Sequence, residues 1–492
     1  MRANRPKHEF TVGRVPPMVF AAGCVAFAAA LGWTIARKLA LASAIVLLVL
    51  LISILAFSPE IAPVLVLFAS YDFLGFADPH SFARIPGIFK LRDLLLFAVV
   101  FFSLINILLS RRVRDVLSPL AVRATMAYSA YVIAMIAYTA ITGHGTFNLA
   151  LRTSSTYFYY LIMIPVIAFV SSRKKLNVLL WILLVMALIP EGLAGFQIAT
   201  HKPIFTYAPV LWINVGGFSL PRNYVLSFNL TGAALLSLFG IYLYSGSPRL
   251  RTLSALSGFV LLVGVVLTFG RAFWMGMLGA VVFLFVAVYA ETKQRDVILL
   301  RTIRLWAGTA AVIALVLIFA VITAKESSLT RLSGVVGQRF VSTFSDITEL
   351  GGTFGWRLQD SAFRIQLFKQ NPLLGAGYVH RTSEFASELP KKDVATTDSG
   401  IFTILAQSGI VGVAFVGALI VIFMKHGLHV FRRLRDPILK GISIGIVAFY
   451  VHAIITLVGL TGIVFSYYAG ICTVGLLVGL QEVMLRIDEA NH

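Results

Sequence analysis

Residues 251–290 read RTLSALSGFVLLVGVVLTFGRAFWMGMLGAVVFLFVAVYA, two long apolar runs near 251–269 and 272–290 with almost no loop between them. A membrane-crossing helix needs about 20 apolar residues, because each residue rises about 1.5 Å through a hydrocarbon core about 30 Å thick. Both runs satisfy that length. Neither alternates with period two, which excludes an outer-membrane barrel. The same test applied outward predicts further spans near 17–36, 39–57, 61–77, 94–110, 119–142, 157–171, 176–198, 224–245, 303–324, 400–424, 441–458 and 462–480. The expected fold is therefore an all-α polytopic membrane protein of about 12–14 transmembrane helices. One large exterior loop, 325–399, interrupts the pattern.

Composition agrees with that class. The 492-residue chain is 59% hydrophobic and 13% charged, with mean hydropathy +0.89, against an apolar share of about 45–50% in soluble domains. Basic residues set the orientation. Arg2, Arg5, Lys7 and Arg14 precede the first span, Arg111, Arg112 and Arg114 follow the fourth, and Arg173, Lys174 and Lys175 follow the sixth. Arg249, Arg251, Lys293, Arg295, Arg301, Arg304, Lys425, Arg432, Arg433, Arg435 and Lys440 fall on the same side, which the positive-inside rule makes cytoplasmic. Both termini are then inside, and segments 143–156, 199–223 and 325–399 are outside; the link holding Arg37 and Lys38 is the exception. The net charge of +20 belongs mostly to loops facing anionic lipid, which argues against a nucleic-acid partner. The chain divides into an N-terminal bundle (1–324), the exterior loop with short amphipathic helices (325–399) and C-terminal spans (400–492), all one membrane domain. Cys24 and Cys472 both sit in predicted spans and form neither a disulfide framework nor a metal site by spacing.

Four exterior stretches carry candidate chemistry. GGFSLPRNYVLSF (216–228) puts Arg222 and Asn223 at the mouth of a span, where proline and glycines suggest irregular backbone able to present donors to an anion. LTFGRAFWMG (267–276) holds Arg271 in a tight hairpin beside Phe273 and Trp274. A guanidinium stays charged at any working pH and grips phosphate bidentately, although Arg271 could equally cap helix carbonyls or anchor an aromatic belt. In GWRLQDSAFRIQLFKQNPLLGAGY (355–378), Leu358, Ala362, Ile365 and Phe368 recur at helical spacing, which predicts an amphipathic helix over about 356–370, stopped by Asn371 and Pro372. Arg357 and Arg364 then share a face, either to hold an anionic headgroup or simply to meet water. TTDSGIFTILAQSGIVGV (396–413) places Asp398 at a helix start, where a carboxylate can cap the helix, act as a base, or both. The loop itself is nearly neutral, with nine Lys/Arg against eight Asp/Glu, so its arginines matter by position.

The order of these motifs resembles the O-antigen ligase and Wzy-type polymerase superfamily over residues 205–425. Members show a Ser-Arg pair at a span junction, here Gly270-Arg271. They also show an arginine followed by a helix ending in Asn-Pro-Leu-Leu-Gly-x-Gly, here Arg357 through Gly377. The ligase branch adds a histidine and a small polar residue, nine residues and Gly-x-x-Gly; Asp398, Ser399, Gly409 and Gly412 match in spacing, with aspartate replacing the histidine. His380 is a substitute histidine nearby, though its place in the loop does not match.

The resemblance implies glycosyl transfer from a polyprenyl-diphosphate-linked glycan to a sugar hydroxyl. The reaction is expected at the periplasmic face of a bacterial inner membrane, with no cofactor, nucleotide sugar or obligatory metal. Arg222, Arg271, Arg357 and Arg364 are the expected diphosphate ligands, since a leaving diphosphate needs fixed cations. Arg271 and Asp398 are the expected catalytic pair, with Asp398 as base or acceptor-orienting group. His380 and the intramembrane Glu191, beside Pro190, are supporting candidates. The expected partners are the lipid-linked donor, a glycan or lipid-linked glycan acceptor, membrane lipids, a chain-length regulator and a flippase. Three readings stay open: a polymerase of O-antigen or exopolysaccharide repeats, a ligase moving a finished glycan to lipid A core or protein, and a lipid-linked oligosaccharide flippase or transporter. The missing histidine counts against the ligase. Charge gathered at one exterior site, without repeated halves, counts against the flippase.

Overall fold

The computed structural model describes residues 54, 58–71, 91–200, 210–215, 218–223, 228–268, 270–292, 295–323, 361–362, 364–378, 400–458 and 468–491. In chain order the elements are α1 (Ala62–Tyr71), α2 (Leu91–Leu109), α3 (Val113–Leu117), α4 (Leu120–Ile141), α5 (Phe147–Ser154), a 3-10 stretch (Ser155–Ile162) continued by α6 (Met163–Phe169), α7 (Arg173–Thr200), strands β1 (Val210–Val215) and β2 (Phe218–Asn223), α8 (Phe228–Tyr244), α9 (Pro248–Leu267), α10 (Arg271–Glu291), α11 (Arg295–Thr323), α12 (Gly400–Arg433), α13 (Pro437–Val458) and α14 (Tyr468–Asn491).

Eight helices among the described residues are long and apolar enough to cross a membrane: α2, α4, α7, α9, α10, α12, α13 and α14; α1 and α8 are shorter apolar helices. The spans expected at 17–36 and 39–57 lie, residue 54 apart, outside the described residues. The expected short span at 157–171 takes an unforeseen form. Its first half is 3-10 helix, whose rise of about 2.0 Å per residue stretches residues 155–169 to roughly 26 Å, close to the hydrocarbon thickness. Almost every residue from Tyr157 to Val170 is buried, which makes this segment an interior post of the bundle.

Helices pack where side chains are absent. Gly475 and Gly479 of α14 rest against Tyr160, Met163 and Val166 of that post, so α14 is buried along nearly its whole length. In the antiparallel seam of α8 and α13, a Cβ on Gly240 would collide with the backbone of Gly441, and one on Gly445 with that of Ser237. Small residues let backbones touch, and in lipid that dispersion contact replaces a hydrophobic driving force between helices. One buried polar cluster is matched inside: Tyr450 Oη donates to Gln481 Oε1 at 3.2 Å, and Gln481 Nε2 donates to the Ser443 carbonyl at 3.3 Å. Asp436 caps α13 by accepting from the Ile438 and Leu439 amides at 2.8 and 3.1 Å.

One hairpin was not anticipated. β1 and β2 pair antiparallel, with Val215 opposite Phe218 and Val210 opposite Asn223. Gly216 and Gly217 lie between them, the residue type that a two-residue hairpin loop demands.

Candidate functional site

The kink in α12 organises the site. Gly409 adopts φ 62°, ψ −162° inside that helix, a backbone region open in practice only to glycine. An unbroken helix would send the Ile410 and Val411 amides to the Ala406 and Gln407 carbonyls. Here those four groups are redirected onto the Asn371–Tyr378 turn. Ala376 N donates to the Ala406 carbonyl at 2.8 Å and Gly377 N to the Gln407 carbonyl at 3.0 Å. Ile410 N donates to the Pro372 carbonyl at 2.9 Å and Val411 N to the Leu373 carbonyl at 3.2 Å. Two motifs separated in sequence thus become one hydrogen-bonded unit. Glycines permit the approach: a Cβ on Gly409 would strike the Leu373 carbonyl, and one on Gly375 the backbone of residues 406–408.

The turn also docks on α4. Tyr378 N donates to Thr139 Oγ1 at 3.0 Å, and a side chain on Gly377 would collide with Thr139. Aromatic residues line the joint. Tyr157, from the 3-10 post, donates from Oη to Gln407 Oε1 at 3.1 Å and packs against Tyr378 with ring centroids 5.6 Å apart. Tyr131 donates to the Ser408 carbonyl at 2.9 Å and stacks on Phe415 at 4.5 Å.

Arg364 sits on the helical segment leading into this turn. Residues 364–370 are helical, and the Asn371 amide still donates to the Phe368 carbonyl at 3.1 Å, so the helix stops where Asn371-Pro372 predicted. The inward face corrects the sequence reading. Ser361, Arg364 and Leu367 are buried, whereas Ala362, expected on the apolar inner stripe, is exposed. The helix turns its arginine inward and leaves part of its apolar stripe outward, as an element lying in a lipid interface would. Arg364 is 1% exposed and acts electrostatically on the Tyr157 hydroxyl. A guanidinium so deeply placed is retained only where compensating groups or a ligand meet it.

The other expected residues are distributed as follows. Arg271 is the first residue of α10, after Gly270 at the N-cap, and the α9–α10 link is closed by Trp274 Nε1 donating to the Val265 carbonyl at 3.0 Å. Arg222 lies within β2, paired opposite Leu211; this replaces the expected irregular backbone with a regular strand. Glu191 is buried in α7 and accepts from Thr231 Oγ1 of α8 at 3.2 Å, with Gly264 of α9 leaving room for its carboxylate. Arg357, His380 and Asp398 lie outside the described residues. Sequence reasoning missed Tyr157, Gln407 and Thr139. The density of tyrosines in STYFYYLI (155–162), most of it inside the span expected at 157–171, is the signal that points to Tyr157.

Apolar helices crossing a membrane around a buried arginine and a tyrosine-lined turn define a multi-pass membrane protein with a polar site at one end of its bundle. Residues 256–417 match the family model described as O-antigen ligase, which agrees with the resemblance in the motifs and supports ligase- or polymerase-type glycosyl transfer at family level. The match spans Arg271, Arg364, the Asn371–Tyr378 turn and Gly409. No curated protein matches the chain.

Proposed function

We propose that the protein is a membrane glycosyltransferase. It transfers a glycan from a polyprenyl-diphosphate carrier to a sugar hydroxyl at the exterior face, joining repeat units of an O-antigen or exopolysaccharide. The observation that carries this reading is the union of the Asn371–Tyr378 turn with kinked α12, which holds buried Arg364 beside Tyr157. In the reaction the acceptor oxygen bonds to the anomeric carbon as the bond from that carbon to the diphosphate breaks. The acceptor proton passes to Asp398, and the lipid diphosphate leaves with the electron pair. Arg364, with Arg222, Arg271 and Arg357, stabilises the charge growing on the diphosphate; fixed cations in a water-poor site act most strongly on charge that develops in the transition state. A single displacement inverts the anomeric centre. His380 and Glu191 support this site by orienting its polar groups.

A ligase reading has one observation in its favour, the family description itself. Aspartate at 398 in place of the ligase histidine favours the polymerase. Purified protein supplied with a polyprenyl-diphosphate-linked repeat unit, without metal or nucleotide, tests the two. A ladder of longer lipid-linked products, lost in Asp398→Asn, is expected. Transfer only on addition of a lipid A core or protein acceptor would assign a ligase, and no transfer with either acceptor would refute the enzyme reading.

A further inference from the structure

A cavity of about 290 Å³ opens at the opposite end of the bundle, the end that the basic loops place in the cytoplasm. Its volume is far above the ~10–15 Å³ that holds one water. Arg112, Arg173, Arg486, Ser171, Ser172 and Asn491 supply its polar lining, and no carboxylate lines it among the described residues. Ile167 and Ile487 supply an apolar side.

Three separate elements deliver the arginines. α2 ends in a turn in which the Arg112 amide donates to the Ile107 carbonyl at 3.0 Å and the Arg111 amide to the Leu108 carbonyl at 3.2 Å, with Arg111 at φ 56°. This is the Schellman pattern, and it folds the chain back so that Arg112 Nη1 reaches the Ala168 carbonyl at 3.3 Å. Arg173 opens α7 and pairs through Nη2 with Asp436 Oδ2 at 2.8 Å. Arg486, near the end of α14, pairs through Nε with Glu482 Oε1 at 2.7 Å and donates from Nη2 to the Asp115 carbonyl. A guanidinium has five N–H donors, and none of these three commits more than two of them to the protein. The start of α7 adds the positive end of a 28-residue helix.

We propose that this cavity binds the phosphate of an anionic phospholipid. Three guanidinium forks and a helix N-terminus suit a phosphate. The apolar side suits the glycerol and first acyl carbons of a lipid rather than a free ion, and basic pockets between helices at the cytoplasmic face are where such headgroups bind. A bound lipid would tie the ends of α2, α7 and α14 together. The inference is independent of the transfer reaction.

Native mass spectrometry of delipidated protein with phosphatidylglycerol, phosphatidylcholine or inorganic phosphate tests it. One retained phosphatidylglycerol is expected, weakened roughly five-fold by Arg112→Gln or Arg486→Gln. Ala490→Trp, which fills the cavity from an exposed position without removing a charge, is expected to weaken it too and guards against misfolding of the arginine variants. Equal retention of the two lipids, or retention unchanged in Ala490→Trp, would overturn the site. Full displacement by millimolar inorganic phosphate would overturn the lipid as its source.

Discussion

Arginine is used in opposite ways at the two ends of this bundle. At the Asn371–Tyr378 turn, Arg364 is 1% exposed and acts electrostatically on Tyr157. At the other end, Arg173 and Arg486 keep about a third of their side-chain surface in the open and each meets a carboxylate. A half-exposed pair contributes about 0–1 kcal/mol, because water already solvates both partners. A buried guanidinium costs several kcal/mol to desolvate and persists only for something it does there. On the proposed function the first end carries the chemistry, and on the further inference the second end holds a lipid headgroup.

The largest expected effect comes from breaking the unit that holds Arg364. Gly409→Val forces a side chain into a backbone region closed to it and into the Leu373 carbonyl. A loss of roughly 2–5 kcal/mol in stability is expected, with abolished transfer, read by thermal unfolding and product analysis. An unshifted melting temperature would show that turn and helix do not depend on each other. Smaller is Tyr157→Phe, which leaves Gln407 Oε1 without its 3.1 Å donor. About 1 kcal/mol of stability and a several-fold fall in transfer are expected. Smallest is Arg173→Gln, which removes the ion pair with Asp436. Its expected cost is below about 1 kcal/mol, with transfer unchanged; a loss of transfer equal to that of Tyr157→Phe would erase the contrast between the two ends.

The sequence foretold different parts of this to different depths. Apolar length located α2, α4, α7, α9, α10, α12, α13 and α14, since a span must satisfy its own backbone and cannot hide its hydropathy. The stop at Asn371-Pro372 was equally legible, because proline lacks the amide a helix needs. The inward face of 361–370 was not. Apolar spacing at Ala362 and Ile365 marks a face that avoids water, and beside a membrane that face can turn to lipid as readily as to protein. The kink at Gly409 was also hidden: the glycine was visible, but the exchange of hydrogen bonds with residues 372–377 depends on a partner far away in sequence. The β1–β2 hairpin is hidden because glycines and a proline in GGFSLPRN suit irregular backbone as well as strands joined by a tight turn.

Transfer by Arg364→Lys, measured on purified protein with a polyprenyl-diphosphate-linked repeat unit, tests the central claim most directly. The account predicts a fall of at least about 100-fold in protein that still folds and inserts, because lysine keeps the charge but loses the planar fork that grips a diphosphate. Wild-type turnover in that variant would contradict it and return Arg364 to a purely structural place in the fold.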